Sequence, residues 1–271
     1  WQEGHTLHET QTEALAFAQQ IMSDVYLPVI NEVLAIAGVY GKKPPSERFA
    51  GALETLTYEP MMSNGWALQI CTSHLLGEGF VKSFNIQFVD KDGLLKTPSY
   101  TSWGLSTRTI GGLISSHSDD KGLVIPPKLS EYIAVLVPIF GQNKAETQHY
   151  LLEMLLELGF KADEAILQTA KSYIELRHPQ SQQAILIDYR DIRLGEKMYD
   201  FERSGYPVAV VFGANEQAKR QVLVYSRVQD KKQTWPLVGL TAVINNMHEQ
   251  DQQSLYRKSL MRLKSRISVC E

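Results

Sequence analysis

Hydrophobic positions near the start of the chain recur at helical spacing. Ala14, Ala18, Ile21, Met22, Val25 and Val29 return every few residues, the interval that gathers side chains on one face of a helix. Thr10 and Glu13, three apart, stand just ahead with capping-box spacing. Pro28 kinks or divides the run. "NEVLAIAGVYG" ends it and reads as a strand, and the alternating "FAGALETLTYE" reads as another. The turn "SNG" leads to a third strand, "WALQICTS". A short helix is predicted over "LLGEGFVKSF". A hairpin follows, with "NIQFVD" and "LLKTPSYTSW" flanking "KDG".

Past Trp103 the period changes. Ile110, Leu113 and Ile114 sit at i, i+3 and i+4. Gly111, Gly112, Ser115 and Ser116 leave the rest of that helix thin enough to lie close on a sheet. "DDKGLVIPPKLSE" is charged, then extended, then broken by Pro126 and Pro127. A domain boundary is expected there, after residue 127.

The second half alternates strands with helices. "YIAVLVPIF", "AILID", "PVAVVFG" and "QVLVYSR" read as strands. "KAETQHYLLEMLLELG", "DEAILQTAKSYIELR" and "EKMYDFERSG" read as helices, the first and last of these stopped by Gly159 and Gly205. This pattern predicts an α/β domain with a largely parallel sheet. A closing helix, "HEQDQQSLYRKSLMRLKSRI", carries acids early and bases late, the order that suits the helix dipole.

Composition narrows the picture only a little. The chain has 271 residues, 44% hydrophobic and 21% charged, with a net charge of −3. Such a chain has enough apolar surface for one large domain or two. No global basic field announces nucleic acid, although a local basic patch needs none. Cys71 and Cys270 are far apart and show no metal-ligand spacing, so a reducing compartment is expected. No run is long enough to span a membrane. The chain opens on Trp1, as if processed or cut from something longer.

Three stretches carry candidate chemistry. In "SWGLSTRTIGG", Arg108 stands among small residues where a strand turns into a helix. A guanidinium there matches phosphate oxygens, and a helix N-terminus favours anions. On composition alone, an ion pair with Asp119 or Asp120 is the simpler account. In "LQICTSHLLGEGF", Gln69, Thr72 and His74 are polar groups on an apolar strand, calling for a ligand or for hydrogen-bonded partners inside the core. In "WQEGHT", Trp1, Glu3 and His5 alternate and point one way, as a pocket wall or as a frayed terminus.

Together these blocks resemble a known family. "WQEGHTLHETQTEA", "ERFAGA", "ALQICTSHLLGEGFVKSFNIQF", "TSWGLSTRTIGGLISSHSDDKGLVIPP" and "VLVPI" are similar, in this order, to prolyl-tRNA synthetases, class II aminoacyl-tRNA synthetases. The type without an inserted editing domain is the one resembled. The resemblance implies an α+β to α/β fold: the C-terminal part of a class II antiparallel-sheet catalytic domain over 1–127, an anticodon-binding α/β domain over 128–235 and a C-terminal helical segment over 236–271. It implies ATP with Mg²⁺, L-proline and tRNA(Pro) as partners, a homodimeric parent, a cytoplasmic location and no membrane. Arg108 would be the catalytic phosphate clamp. Gln69, Thr72 and Ser106 would join it at ATP. Trp1, Glu3, His5 and His74 would line the proline site, and no residue would hold a resident metal. Arg190, Arg193, Lys197 and Arg203 would meet tRNA phosphates, or else form a solvated helix face.

The sequence also departs from the family. Its first motif and half of its second are absent, so the chain is expected to be a fragment that makes no prolyl-adenylate alone. A stretch near 161–180 is extra, and Ser118 replaces a common glycine. No editing domain interrupts the sequence, so mischarged tRNA would be cleared by another protein. Two other readings remain: a synthetase-like accessory protein without catalysis, and a class II synthetase for threonine or glycine.

Overall fold

The computed structural model describes residues 1–268 apart from 163, 171, 179 and 182. Cys270 lies outside the described residues. The chain forms two compact units. One comprises Trp1–Ser116 with the residues from Tyr256 onward, and the other His117–Leu255.

The first unit is built on an antiparallel sheet. Its strands are β1 (Gln2–His8), β2 (Gly38–Lys42), β3 (Glu54–Pro60), β4 (Cys71–Gly77) and β7 (Ser99–Leu105), in the order β1-β7-β4-β3-β2. Between β4 and β7 come the short helix α2 (Gly79–Ser83) and a two-stranded hairpin, β5 (Phe88–Val89) with β6 (Leu95–Lys96). Tyr100–Trp103, expected in that hairpin, belong to the main sheet instead. "WALQICTS" enters its strand only at Cys71.

One face of the sheet is covered by the first helix, α1 (Gln11–Gln20). Thr10 caps it, with the reciprocal Glu13 contact that the sequence predicts. The helix then widens into π-type turns over Ile21–Tyr26 and Val29–Val33, with Pro28 between them. The buried positions explain why. Ala14, Ala18, Met22, Tyr26, Ile30 and Leu34 recur every fourth residue. On an α-helix that spacing drifts about 40° per step, and wider turns bring the stripe back into line. The widening also corrects the expected core face. Val25 and Val29 turn outward, at 45% and 41% exposure, and Tyr26 and Ile30 point in.

The second unit holds a six-stranded sheet with the order β13-β12-β11-β8-β10-β9. Its strands are β8 (Tyr132–Pro138), β9 (Tyr173–Arg177), β10 (Ala184–Asp188), β11 (Val208–Phe212), β12 (Gln221–Ser226) and β13 (Lys231–Pro236). Only β10–β8 and β8–β11 pair in parallel. The other pairings are antiparallel, so the sheet is mixed rather than largely parallel. The three central strands read as continuous apolar runs because both faces are covered. On one face lie α4 (Lys144–Glu157), α5 (Glu164–Thr169) and the start of α8 (Leu240–Lys264). On the other lies α6 (Leu194–Ser204).

Four elements of this unit differ from the sequence reading. The stretch "DEAILQTAKSYIELR" is only half helix: α5 gives way to β9, which pairs with β10 at the sheet margin. The short helix α7 (Ala214–Ala218) and strand β13 carry too few apolar residues to announce themselves. Helix α8 begins eight residues before the predicted "HEQ" start.

Asp119 and Arg227 fasten the start of this unit. The Arg227 guanidinium, 1% exposed, forks onto both Asp119 oxygens at 2.8 and 2.5 Å. Those bonds hold the Asp119 carboxyl down at about 2. Residues 123 and 125 then run beside the end of α6, donating to the carbonyls of Arg203 and Gly205.

Candidate functional site

The strand register assembles the site on the sheet face opposite α1. Residues directly opposite one another share a face. One row across the sheet reads Glu3, Gly104, Thr72, Thr57, Gly41. The next reads His5, Ser102, His74, Thr55. Thus Glu3, His5, Thr72 and His74, scattered over the first 74 residues, stand on two adjacent rows of one face. Gly41 has nothing within 4 Å of the place a Cβ would occupy, so the end of the first row is open.

The alternation of β1 has a second consequence. Gly4 faces the other way, and the Trp103 ring lies where its Cβ would be, 2.2 Å from that position. Only glycine lets Glu3 and His5 flank this point while Trp103 packs beneath.

Arg108 lies past the end of β7, on the side of the first row. It opens α3 (Arg108–His117), and its backbone N–H donates to the Ser106 hydroxyl at 3.2 Å. Its side chain is exposed and donates to the Gln69 carbonyl at 3.1 Å. The ion-pair alternative does not hold. Asp119 is taken by Arg227, and no carboxylate among the described residues lies within salt-bridge distance of Arg108. Gln69, read as part of the strand, lies just before it and reaches Arg108 through its backbone. The guanidinium keeps donors for an anion, and it stands at the positive end of the helix dipole.

On the side of the second row, towards the other end of β7, lies a cavity of about 550 Å³. Its lining includes His5, Ser102, Phe49, Phe80, Phe84 and Tyr100. His5 Nδ1 lies 2.7 Å from the Tyr100 hydroxyl, with the two rings stacked. His74 Nδ1 lies 3.0 Å from the Thr55 hydroxyl, which also accepts the Phe49 N–H at 3.2 Å. The Phe49 ring tilts against His74. Burial lowers the His74 imidazole to about 4, so it is neutral at pH 7. The face therefore grades from a cation, through carboxylate and hydroxyls, to an aromatic cavity.

Trp1 is not brought into this arrangement. It precedes β1 and is 84% exposed. Phe49, Thr55, Tyr100 and Ser102 are site neighbours that the sequence reading did not assign. Tyr100 and Ser102 share the parity of Gly104 along β7, but only the pairing of β7 with β1 and β4 reveals what they face.

Cys71 lies on the opposite face. Burial pushes its thiol up to about 12, which rules it out as a thiolate nucleophile at neutral pH. No group of three His, Cys, Asp or Glu side chains that could hold a metal occurs among the described residues.

The four cations of the second unit separate. Arg190 forks onto Asp188 at 2.8 and 2.6 Å and reaches Asp200 at 2.8 Å. Lys197 is 2% exposed, and its ammonium donates to the carbonyls of Pro138 and Asp188. The expectation that these two meet RNA phosphates is corrected: the first is neutralised by carboxylates, and the second is buried. Arg193 precedes α6, and Arg203 is 66% exposed with one distant carboxylate, Asp200 at 3.9 Å.

Residues 135–247 match the family described as an anticodon binding domain. Over 96% of its length the chain is 37% identical to a proline–tRNA ligase of Porphyromonas gingivalis, and over its full length 38% identical to proline–tRNA ligase 2 of Clostridioides difficile. The aligned regions are 49% and 52% of those proteins, so the chain spans about half the length of the curated relatives it matches. It is also similar to a prolyl-tRNA synthetase from Cryptosporidium parvum solved with L-proline and AMP. There the TM-score is 0.82 and the identity 32%, covering 97% of this chain and 53% of that one.

Proposed function

We propose that this chain, homologous over nearly its whole length to half of the proline–tRNA ligases, serves in a protein that activates L-proline with ATP and transfers it to tRNA(Pro). The observation that carries this reading is the graded face of the first unit. Arg108 at one end suits the outer phosphates of ATP, with Ser106 and Thr72 near and Gln69 lending a carbonyl to the arginine. The aromatic cavity at the other end suits a small apolar ring. Glu3 and the neutral His74 lie between, where a secondary ammonium and its carboxylate would sit.

In this mechanism the proline carboxylate attacks the α-phosphorus, forming prolyl-adenylate and releasing pyrophosphate. The terminal hydroxyl of tRNA then takes the prolyl group, and AMP leaves. The carboxylate is already ionised, so the chain need supply no general base for the first step. It aligns the reactants and offsets charge through Arg108. Mg²⁺ would arrive on the nucleotide as part of the substrate. Trp1 would close over proline as a mobile aromatic edge.

The domain assignment is part of the proposal. Residues 1–127 would be catalytic, 128–235 would bind the anticodon, and 236–271 would form the closing segment; the match over 135–247 supports the middle term. Arg193 and Arg203 are the cations we assign to RNA phosphates. We place the full-length protein in the cytoplasm as a homodimer. No helix among the described residues is long and apolar enough to cross a membrane.

The test is amino-acid-dependent ATP–pyrophosphate exchange by the full-length protein. Proline should support exchange, and Arg108→Ala should lower kcat/KM for ATP by roughly 10²–10³. Exchange with threonine or glycine instead would mark a sibling enzyme. No exchange with any amino acid would mark an accessory protein.

A further inference from the structure

We propose that Arg262, in the last turn of α8, is a positioning residue for the nucleotide end of the site, acting through α3. The inference rests on the phosphate-clamp reading of Arg108. Helix α3 is held within the first unit by the packing of Leu113, by the Ser63–Ser115 hydroxyl pair at 3.3 Å and by three further contacts. At its start, Arg108 donates to the Gln69 carbonyl. In its middle, Gly112 lies against Leu68 and Ile70, where an added Cβ would come within 3.1 and 3.3 Å of their side chains. At its end, the Ser116 carbonyl accepts a hydrogen bond from Arg262 Nη2 at 3.0 Å.

Arg262 differs from an ordinary surface cation. No carboxylate among the described residues lies within salt-bridge distance of it. Its Nη1 is buried without an acceptor there, and burial pulls its pKa down. A half-buried cation lacking a counter-charge is a poor source of stability, since an apolar side chain fills such a space at lower cost. It is well suited to a helix end. The last carbonyls of a helix have no intrahelical partners and carry the negative end of its dipole.

The end of α8 is itself anchored. Ser259 accepts the Ala37 N–H at 3.0 Å, and Leu263 is buried. Arg262 is therefore a fixed post to which the far end of α3 is tied. With ten residues, α3 is about 15 Å long. Released at Ser116, it can pivot on the close contact at Gly112, and the pivot displaces Arg108.

The experiment measures ATP affinity of the full-length protein by titration with a fluorescent ATP analogue, and KM values for ATP and proline by pyrophosphate exchange. Three variants are compared: Arg262→Ala, Arg262→Lys, and Lys264→Ala as an exposed control with the same charge change two residues on. Arg262→Ala should raise Kd and KM for ATP about tenfold, with KM for proline changed less than twofold. Arg262→Lys should recover part of the loss, and Lys264→Ala should match wild type. The proposal is overturned if Arg262→Ala leaves ATP affinity intact, or lowers only kcat, as a smaller folded fraction would. An equal rise in both KM values, or the same loss in Lys264→Ala, overturns it too. If wild type binds ATP but proline supports no exchange, the substrate reading fails while the affinity comparison still decides the role of Arg262. If wild type binds no ATP, the two fall together.

Discussion

At the scale of single residues, the site depends on groups whose state is set by their neighbours. His74 is the clearest case. Its imidazole is half-buried and lowered to about 4, against 6.5 in an unfolded chain. The unfolded chain therefore takes up a proton at this residue more readily than the folded one. Its contribution to stability is complete above pH 6.5 and is lost as pH falls from there toward 4. Denaturant melts of wild type and His74→Gln should show the variant losing less stability than wild type over that window. Parallel pH profiles would refute the assignment of this titration to His74. Among the described residues the Arg108 side chain, by contrast, bonds only the Gln69 carbonyl; its removal should affect the chemistry far more than the fold.

At the scale of elements, backbone geometry decides which substitutions are tolerated. Gly205 ends α6 at φ 78°, and its missing Cβ would stand 2.5–2.7 Å from Leu123 atoms, backbone included. Gly205→Ala combines left-handed strain with a clash that no rotamer change relieves. It should cost about 2–4 kcal/mol, read as a drop in denaturation midpoint. Much at this scale was legible in sequence. The capping box at Thr10, the helix stop at Gly205, the central apolar strands and the strand-to-helix junction at Arg108 all rest on local chemistry. What could not be read was non-local. The run from Ala14 to Val29 looked helical, but the π-type turns that keep its buried stripe facing the sheet answer to the surface beneath it. Strand β9 looked like helix because Ile174 is the one residue there that its neighbours bury deeply. The row joining His5 to His74 depends on β7 lying between β1 and β4, an order that no local pattern encodes. Arg190 and Lys197 looked like RNA contacts because nothing in their spacing discloses Asp188 or the carbonyl of Pro138.

At the scale of the whole molecule, the second unit has what an independent folding piece needs. It carries its own two-faced core, a buried arginine held by a carboxylate, and a buried Asp251 taken by Ser226 and Gln229. Residues 117–255 produced alone should therefore unfold in a single cooperative transition. A gradual, non-cooperative melt would show that this core is insufficient. The margin of its sheet carries a further consequence. Among the described residues, strand β9 pairs with β10 along one side only and buries little beyond Ile174, while Tyr173, Glu175 and Arg177 are exposed. An open sheet leaves such a rim, with backbone groups that a further segment can pair with. A gene can lengthen there without renegotiating the interior, because the newcomer must match one ladder and a single apolar socket. Divergence of outline and persistence of core can thus proceed at different speeds in the same domain.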